Sequence, residues 1–243
     1  MGFYDDIASD YAEITDGDAR AASAAAFVEW FCAGGEVRSA IDAATGTGVY
    51  AKALAARGAT VLAADISQAM LDQAQRDAPE NITWRCTPMQ DLSAVADSPV
   101  DAILCMGNSL PHLLQDPDLA KTLTGFRKLL APGGRCAIQL LNYGRVLDRS
   151  ERIVGITRSG DVEYVRFYDF LHTQVRFNLL EIRGSGADIT HTLHSTTLRP
   201  YRAEQLAAAM REFGFATVDL LDGATREPFD DDASDTVLII ARA

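Results

Sequence analysis

Lysine is scarce in this chain: Lys52, Lys121 and Lys128 are the only lysines among 22 basic residues, and 34 acids leave a net charge of −12. Such a balance repels a phosphate backbone, so a nucleic-acid substrate is not expected and a small neutral or cationic one fits better. Cysteine is sparse too. Cys32, Cys86, Cys105 and Cys136 are scattered without a C-x-x-C pair, and three of them fall in apolar runs that read as strands. They are expected to be buried structural thiols in a reducing compartment rather than disulfide partners or metal ligands. No apolar stretch approaches the length of a membrane span. Met1-Gly2-Phe3-Tyr4-Asp5-Asp6 lacks the basic and apolar regions of a signal peptide, and also the hydroxyl residue that myristoylation prefers. The expectation is a cytoplasmic protein with no membrane or nucleic-acid partner; a homo-oligomer is left open.

The composition is that of an ordinary globular protein, with 48% hydrophobic and 23% charged residues, and 243 residues suffice for one α/β domain with an insertion. An alanine-rich helix over about Ala19–Cys32, capped by Asp16 or Asp18, ends at Gly34-Gly35. Strands Ser39–Ala43, Thr60–Ala64, Ile82–Cys86, Ala102–Cys105 and Arg135–Leu141 then interleave with helices Val49–Arg57, Ser67–Ala78 and Pro117–Leu130, the last with Asp116 as its cap. This alternation predicts a Rossmann-like, seven-stranded, mainly parallel sheet with helices on both faces, completed by helix Ala203–Phe213 and strands Ala216–Asp222 and Thr236–Ala241. Between them Glu163–Leu171, Gln174–Arg183 and Ile189–Arg199 alternate with period two, which predicts a small antiparallel insertion over the mouth of the main sheet. The expected division is an N-terminal helical lid over 1–35, a cofactor-binding core over 36–150, the insertion over 151–200, and a closing helix and strands over 201–243.

Chemistry concentrates where the first strand meets its helix. Asp42-Ala43-Ala44-Thr45-Gly46-Thr47-Gly48 follows an apolar strand and opens a helix, so its glycines permit a tight turn and close approach of a ligand to the backbone. The N–H groups at the helix start favour an anionic group. Asp65 closes the next strand, where an acid can grip both hydroxyls of a ribose. G-x-G-x-x-A followed by an acid is also a dinucleotide fingerprint. Asp42 argues the other way, because it would crowd a pyrophosphate with negative charge and suits a ligand bearing an ammonium group. No Tyr-x-x-x-Lys pair is present to serve a short-chain dehydrogenase.

Taken in order, Asp42-x-x-x-Gly46-x-Gly48, Asp65-Ile66-Ser67-x-x-Met70-Leu71 and Leu130-x-Pro132-Gly133-Gly134 resemble the successive motifs of class I S-adenosylmethionine-dependent methyltransferases. The resemblance covers about Ile41 to Leu141. It implies that Asp42, Ala43, Ala44, Thr45, Gly46 and Gly48 line the methionine part of S-adenosyl-L-methionine and that Asp65 holds the ribose. Ile66 and Met70 would sandwich the adenine, with Met89, Gln90 and Asp91 at its edge. A finer likeness, in Cys105-Met106-Gly107-Asn108-Ser109-Leu110-Pro111-His112, in Asn142-Tyr143-Gly144-Arg145 and in Gly17-Asp18-Ala19-Arg20, is to the glycine/sarcosine N-methyltransferase group. That likeness implies Met106 and Gly107 beside the sulfonium, Tyr11 and Arg20 closing over the methionine end, and Asn108 and Tyr143 near the acceptor. Leu141 stands where glycine-methylating relatives carry an arginine for the acceptor's carboxylate, which counts against glycine.

Acceptor contacts are sought in the insertion, where alternation places Tyr164, Arg166, Tyr168, Phe170 and His172 on one face. Such a face could wall a cationic amine or be a solvent-facing strand. Arg166 and Arg199 are candidates to replace the missing arginine, and Tyr201 is a candidate border residue. Asn108, His112, Tyr143, Arg166 and Tyr168 form the candidate catalytic set, with His112 either a general base or a plain loop histidine. His191 and His194 alternate to opposite faces, so no metal site is expected. The expected activity is methyl transfer to a small amine or amino-acid-like acceptor. Alternatives are O- or C-methylation, an NAD-type oxidoreductase, or a binding protein of the same fold without turnover.

Overall fold

The computed structural model describes residues 2–184 and 188–243. Side-chain alternation along its strands decides the architecture. In β1 (Ser39–Ala43), Ala40 points to one side while Ile41 and Ala43 point to the other, and all three are buried. β2 (Thr60–Asp65), β4 (Val100–Cys105), β5 (Leu130–Leu141) and β11 (Thr236–Arg242) alternate in the same way. With β3 (Ile82–Cys86) and β10 (Thr217–Asp222) they make a seven-stranded sheet of order β10-β11-β5-β4-β1-β2-β3. β11 runs antiparallel to both of its neighbours, and β5-β4-β1-β2-β3 are parallel.

A strand that is apolar on both sides needs cover on both sides. On one face α6 (Asp116–Leu129) and α8 (Ala203–Glu212) place Leu123, Phe126, Leu206 and Met210 against Ile41, Ile103, Ile138 and Ile239. On the other, α3 (Gly17–Ala33) and α4 (Val49–Ala56) place Phe27, Phe31, Ala51 and Leu54 against Ala40, Val61, Leu104 and Leu238. Each fully buried leucine or phenylalanine contributes roughly 2 kcal/mol relative to exposure. A solvent-exposed ion pair such as Arg38–Glu36 contributes under about 1 kcal/mol, so these two apolar layers dominate the stability.

Between β5 and α8 lies a four-stranded antiparallel meander: β6 (Ile153–Ser159), β7 (Val162–Phe170), β8 (Val175–Arg183) and β9 (Thr190–Leu198). Its inner face carries Tyr164, Tyr168, Val175 and Leu179, all buried. Two short N-terminal helices, α1 (Phe3–Ile7) and α2 (Tyr11–Thr15), fill the space between this sheet and α5 (Gln68–Ala74), packing Ile7, Ala8 and Ile14 with Met70, Tyr164 and Leu179. No described helix is long and apolar enough to cross a membrane.

The structure differs from the sequence reading in several places. The insertion has a fourth strand, β6, whose Ile153, Val154 and Ile156 are exposed, so no buried alternation announced it. α1, α2 and α7 (Tyr143–Arg149) are five to seven residues long, too short to show a helical period. α5 stops at Ala74, and Asp116 is the first residue of α6 with Gln115 at the cap. Asp16 does cap α3, accepting from the Ala19 N–H in a left-handed conformation (φ 53°). Only Cys105 and Cys136 are buried; Cys86 is exposed and Cys32 half-buried, because neither the edge strand β3 nor the last turn of α3 is fully covered. The turn expected between the second and third insertion strands falls on residues 185–187, which lie outside the described residues.

Candidate functional site

At the carboxyl ends of β1, β2 and β4 the chain leaves a cavity of about 310 Å³. Its floor follows from the turn after β1. Ala44 (φ 57°) and Gly46 (φ 55°) both take left-handed conformations, and a Cβ built on Gly46 meets no atom within 4 Å. Gly46 is therefore needed for its backbone geometry, and it leaves bare peptide facing the cavity. Gly48 serves another purpose: a Cβ there would lie 2.7 Å from the Trp84 ring and 3.2 Å from Ala74. It lets α4 pack against β3 and α5 and does not line the cavity, which corrects its expected role.

Two carboxylates hold the turn in shape. Asp42 is buried beneath it, accepting from the Thr45 hydroxyl at 2.5 Å and the Ala51 N–H at 3.0 Å. Burial pushes its pKa up to about 7 against those two hydrogen bonds, so a cation brought into the cavity would be needed to keep it fully ionised at neutral pH. Asp65 ends β2 and accepts from the Gly46 N–H at 2.8 Å and the Ser67 N–H at 2.9 Å. Each oxygen keeps a lone pair for a hydroxyl, and burial again raises the pKa. Ile66, next in the chain, is 68% exposed at the cavity wall, an apolar side chain with nothing stacked on it, with Met70 and Met89 also lining the wall.

A second cavity of about 240 Å³ adjoins the first. Phe3, Tyr4, Tyr11, Gly107, His112 and Thr196 line both. The second is otherwise walled by Asn108, Leu141 and the inner face of the meander, including Arg166, Tyr168, Phe177 and Leu179. Asn108 sits in a left-handed turn (φ 65°), which asparagine tolerates. Its Oδ1 accepts from the Leu141 N–H at 3.1 Å and its Nδ2 donates to the Tyr143 hydroxyl at 3.0 Å, clamping the loop after β4 onto the end of β5. His112 Nε2 and the Tyr4 hydroxyl are hydrogen-bonded at 2.9 Å. Burial lowers the His112 pKa to about 4, so the ring is neutral at pH 7, and burial holds the Tyr4 phenol far above its usual range.

Twelve of the sixteen residues expected at the cofactor line the first cavity: Tyr11, Arg20, Asp42, Ala44, Thr45, Gly46, Asp65, Ile66, Met70, Met89, Met106 and Gly107. Ala43 is sealed in the core, and Gly48 is turned to its packing role. Gln90 and Asp91 share a 3-10 turn with Met89 but do not line the cavity; Asp91 instead pairs with Lys121 at the surface. Of the candidate catalytic set, Asn108, His112, Arg166 and Tyr168 line the second cavity. Tyr143 is buried behind Asn108 and lines neither. Arg199 pairs with Asp116 at 2.6 Å and lies over the Tyr201 ring, whose hydroxyl donates to the Leu113 carbonyl, so neither lines these cavities. His172 falls beyond the end of β7 and is exposed. Phe3, Tyr4, Asp5, Tyr50, Ser109, Phe177 and Thr196 line the cavities without having been anticipated. The aromatic pair Phe3-Tyr4 near the chain start was the one signal for them.

Residues 40–134 match the family model described as a methyltransferase domain. The glycine/sarcosine N-methyltransferase of Parasynechococcus marenigrum (strain WH8102) is 34% identical over 114 residues, covering 46% of this chain and 40% of its own length. The chain spans 36–41% of the length of the first curated relatives it matches. Among solved structures, an S-adenosylmethionine-dependent methyltransferase from Clostridium acetobutylicum superimposes with a TM-score of 0.81 at 17% identity, covering 98% of both chains. The amino pentose methyltransferase CalS10 from Micromonospora echinaspora, solved with S-adenosylmethionine bound, superimposes with a TM-score of 0.74 at 16% identity over 95% of this chain and 97% of its own. Residues 40–134 thus resemble a methyltransferase domain, and the chain shares its fold with solved S-adenosylmethionine-dependent methyltransferases.

Proposed function

We propose that this protein is an S-adenosylmethionine-dependent methyltransferase whose acceptor is a nitrogen atom of a small molecule. The observation that carries the reading is the pair of adjoining cavities. One is floored by the Asp42–Gly46 turn and Asp65; the other is closed off by aromatic side chains; they meet at Gly107 and His112. The first suits the cofactor in each part. Asp42 and the backbone of Thr45 and Gly46 would hold the methionine end, and Asp65 the ribose hydroxyls. Ile66 and Met70 would take the faces of the adenine, with Met89 at its edge.

Bound there, S-adenosylmethionine supplies a sulfonium methyl group already activated for displacement. The chain's own task is to hold a nucleophilic atom in line with that group, and positioning of this kind accounts for a large share of such rate gains. Met106 and Gly107 would border the reacting atoms, while Asn108 acts as a positioning residue by fixing the loop that carries them. Among the described residues no carboxylate lines the second cavity, and His112 is neutral. An amine entering this apolar chamber is disfavoured as ammonium and loses its proton to solvent on the way in, leaving the lone pair free. A hydroxyl acceptor would need a stronger base than these walls offer, which favours nitrogen over oxygen. Asp42 speaks against a dinucleotide, whose pyrophosphate would meet its charge. The charge of −12 disfavours a nucleic-acid partner.

Isothermal titration with S-adenosylhomocysteine is expected to give micromolar binding; a folded protein that binds neither it nor the methyl donor would end the proposal. Methyl-donor consumption across a library of amines, alcohols and phenols then identifies the acceptor, with turnover confined to amines as the expected result.

A further inference from the structure

The second cavity carries a charge without a partner. Arg166 projects from β7 toward it, and its Nε atom is fully buried with no hydrogen-bond partner. Its terminal nitrogen reaches only the Thr157 hydroxyl, at 3.4 Å. Among the described residues no carboxylate lies within ion-pair distance of it, whereas Arg158 and Arg183 of the same sheet pair with Glu163 and with Asp10 and Glu181, and the exposed Arg176 has solvent instead. A buried donor left unmade is costly, and more so on a charged group.

The neighbouring strand makes room for this guanidinium. Gly155 is the cross-strand partner of Arg166 at a break in the β6–β7 register, and a Cβ on Gly155 would come within 3.0 Å of the guanidinium nitrogen. The rest of the chamber is mostly apolar or aromatic, with Phe3, Leu141, Tyr168, Phe177 and Leu179 among its walls, and its other polar side chains, such as Asn108 and Thr196, are uncharged. Among the described residues Arg166 is the one formally charged side chain lining it at neutral pH, since no Asp, Glu or Lys of these lines it and His112 is neutral.

We infer that Arg166 is the anion-binding element of the acceptor site, and that the acceptor is an apolar or aromatic molecule carrying a carboxylate or comparable anionic group alongside its nucleophilic atom. This rests on the methyltransferase reading. A guanidinium presents paired donors that match a carboxylate, and the apolar walls both accommodate a hydrophobic body and strengthen the ion pair by excluding water. A cationic substrate is disfavoured, because the chamber offers it no acid and one like charge. Glycine is disfavoured because it has no hydrophobic body to meet these walls.

The test uses the full chain saturated with S-adenosylhomocysteine and isosteric probe pairs: benzoate with benzamide, and phenylacetate with phenylacetamide. By titration calorimetry or ligand-observed NMR, the carboxylates are expected to bind at least tenfold more tightly than the amides. Arg166→Gln is expected to erase that preference while leaving S-adenosylhomocysteine affinity within threefold, the sign that the fold is intact. Arg166→Lys is expected to keep part of the preference. Gly155→Ala, which presses on the guanidinium without removing its charge, is expected to reduce carboxylate affinity several-fold and leave the amides unchanged; it decides the matter should Arg166→Gln not fold. Equal binding of acid and amide, no binding of either, or a preference that survives Arg166→Gln overturns the inference. If S-adenosylhomocysteine itself does not bind, the methyltransferase reading fails, and the same comparison on the free protein still decides whether Arg166 is an anion site.

Discussion

The two sheets solve the problem of building a cavity in opposite ways. The seven-stranded sheet is covered on both faces, so its ligand space lies at the strand ends, where Asp42 and Asp65 are fixed by hydrogen bonds to backbone N–H groups. The meander is covered on one face only. It contributes side chains from the middle of its strands, Arg166, Tyr168 and Phe177, while its outer face leaves Ile156 and Leu193 in solvent. Backbone geometry at a strand end suits a ligand that does not change, as the cofactor does not. Side chains on a pleated wall can be exchanged without altering a turn, which suits an acceptor that differs from one relative to the next.

If this division is right, substitutions in the two halves separate kinetically. The largest effect is expected from Asp65→Ala, which removes charge-assisted hydrogen bonds at about 1.5–3 kcal/mol each. S-adenosylhomocysteine affinity should fall by more than about 100-fold by calorimetry, and a loss under tenfold would detach Asp65 from the cofactor. Asn108→Ala should do the converse, lowering kcat by roughly 30-fold through a displaced loop while cofactor affinity stays within threefold. Comparable losses in both would show that the halves are not separable.

Next comes pH. The free protein keeps Asp42 protonated up to about pH 7. A ligand ammonium favours the carboxylate, so cofactor affinity should rise as pH rises, by about tenfold between pH 6 and 7.5, and then level off. In Asp42→Asn that dependence should disappear. The same raised pKa makes Asp42 a cost to the free protein's stability that grows from about pH 4 to pH 7. His112 acts in the opposite sense: its lowered pKa contributes stability above its ordinary pKa that is lost as pH falls toward 4. The smallest effect is expected from Tyr4→Phe, about threefold in kcat/KM, equivalent to the net worth of one neutral hydrogen bond. Its measurement is steady-state kinetics at fixed cofactor.

The core of the fold was legible because its elements are long and periodic and punctuated by glycine or proline: β1 through β5 and their helices fall within a few residues of the expected bounds. Asp42, Gly46 and Asp65 were legible as cavity-lining residues because the strand–turn–helix pattern places those offsets at the carboxyl ends of the strands. Arg166 and Tyr168 were legible as members of one face, since period two survives in an exposed meander. What was not legible depends on tertiary contact. Gly48 looked like a ligand glycine until Trp84 and Ala74 were seen against it. Gln90 and Asp91 sit one and two residues from Met89, too close in sequence for spacing to tell which of the three turns inward. Phe3 and Tyr4 lie on a five-residue helix with no period of its own, and only packing against Met70 and the meander brings that helix to the site.

That short helix has a thermodynamic consequence. Phe3 and Tyr4 wall both cavities, Asp5 accepts from the Ser67 hydroxyl beside the cofactor space, and Tyr4 is bonded to His112 beside the acceptor space. One small element thus belongs to two binding sites, and whichever ligand arrives first orders part of the wall the other will use. Linkage then makes the effect mutual: cofactor and acceptor each tighten the other by the same factor. The visible result would be synergy in binding and a preferred order of addition, both dependent on a helix of five residues.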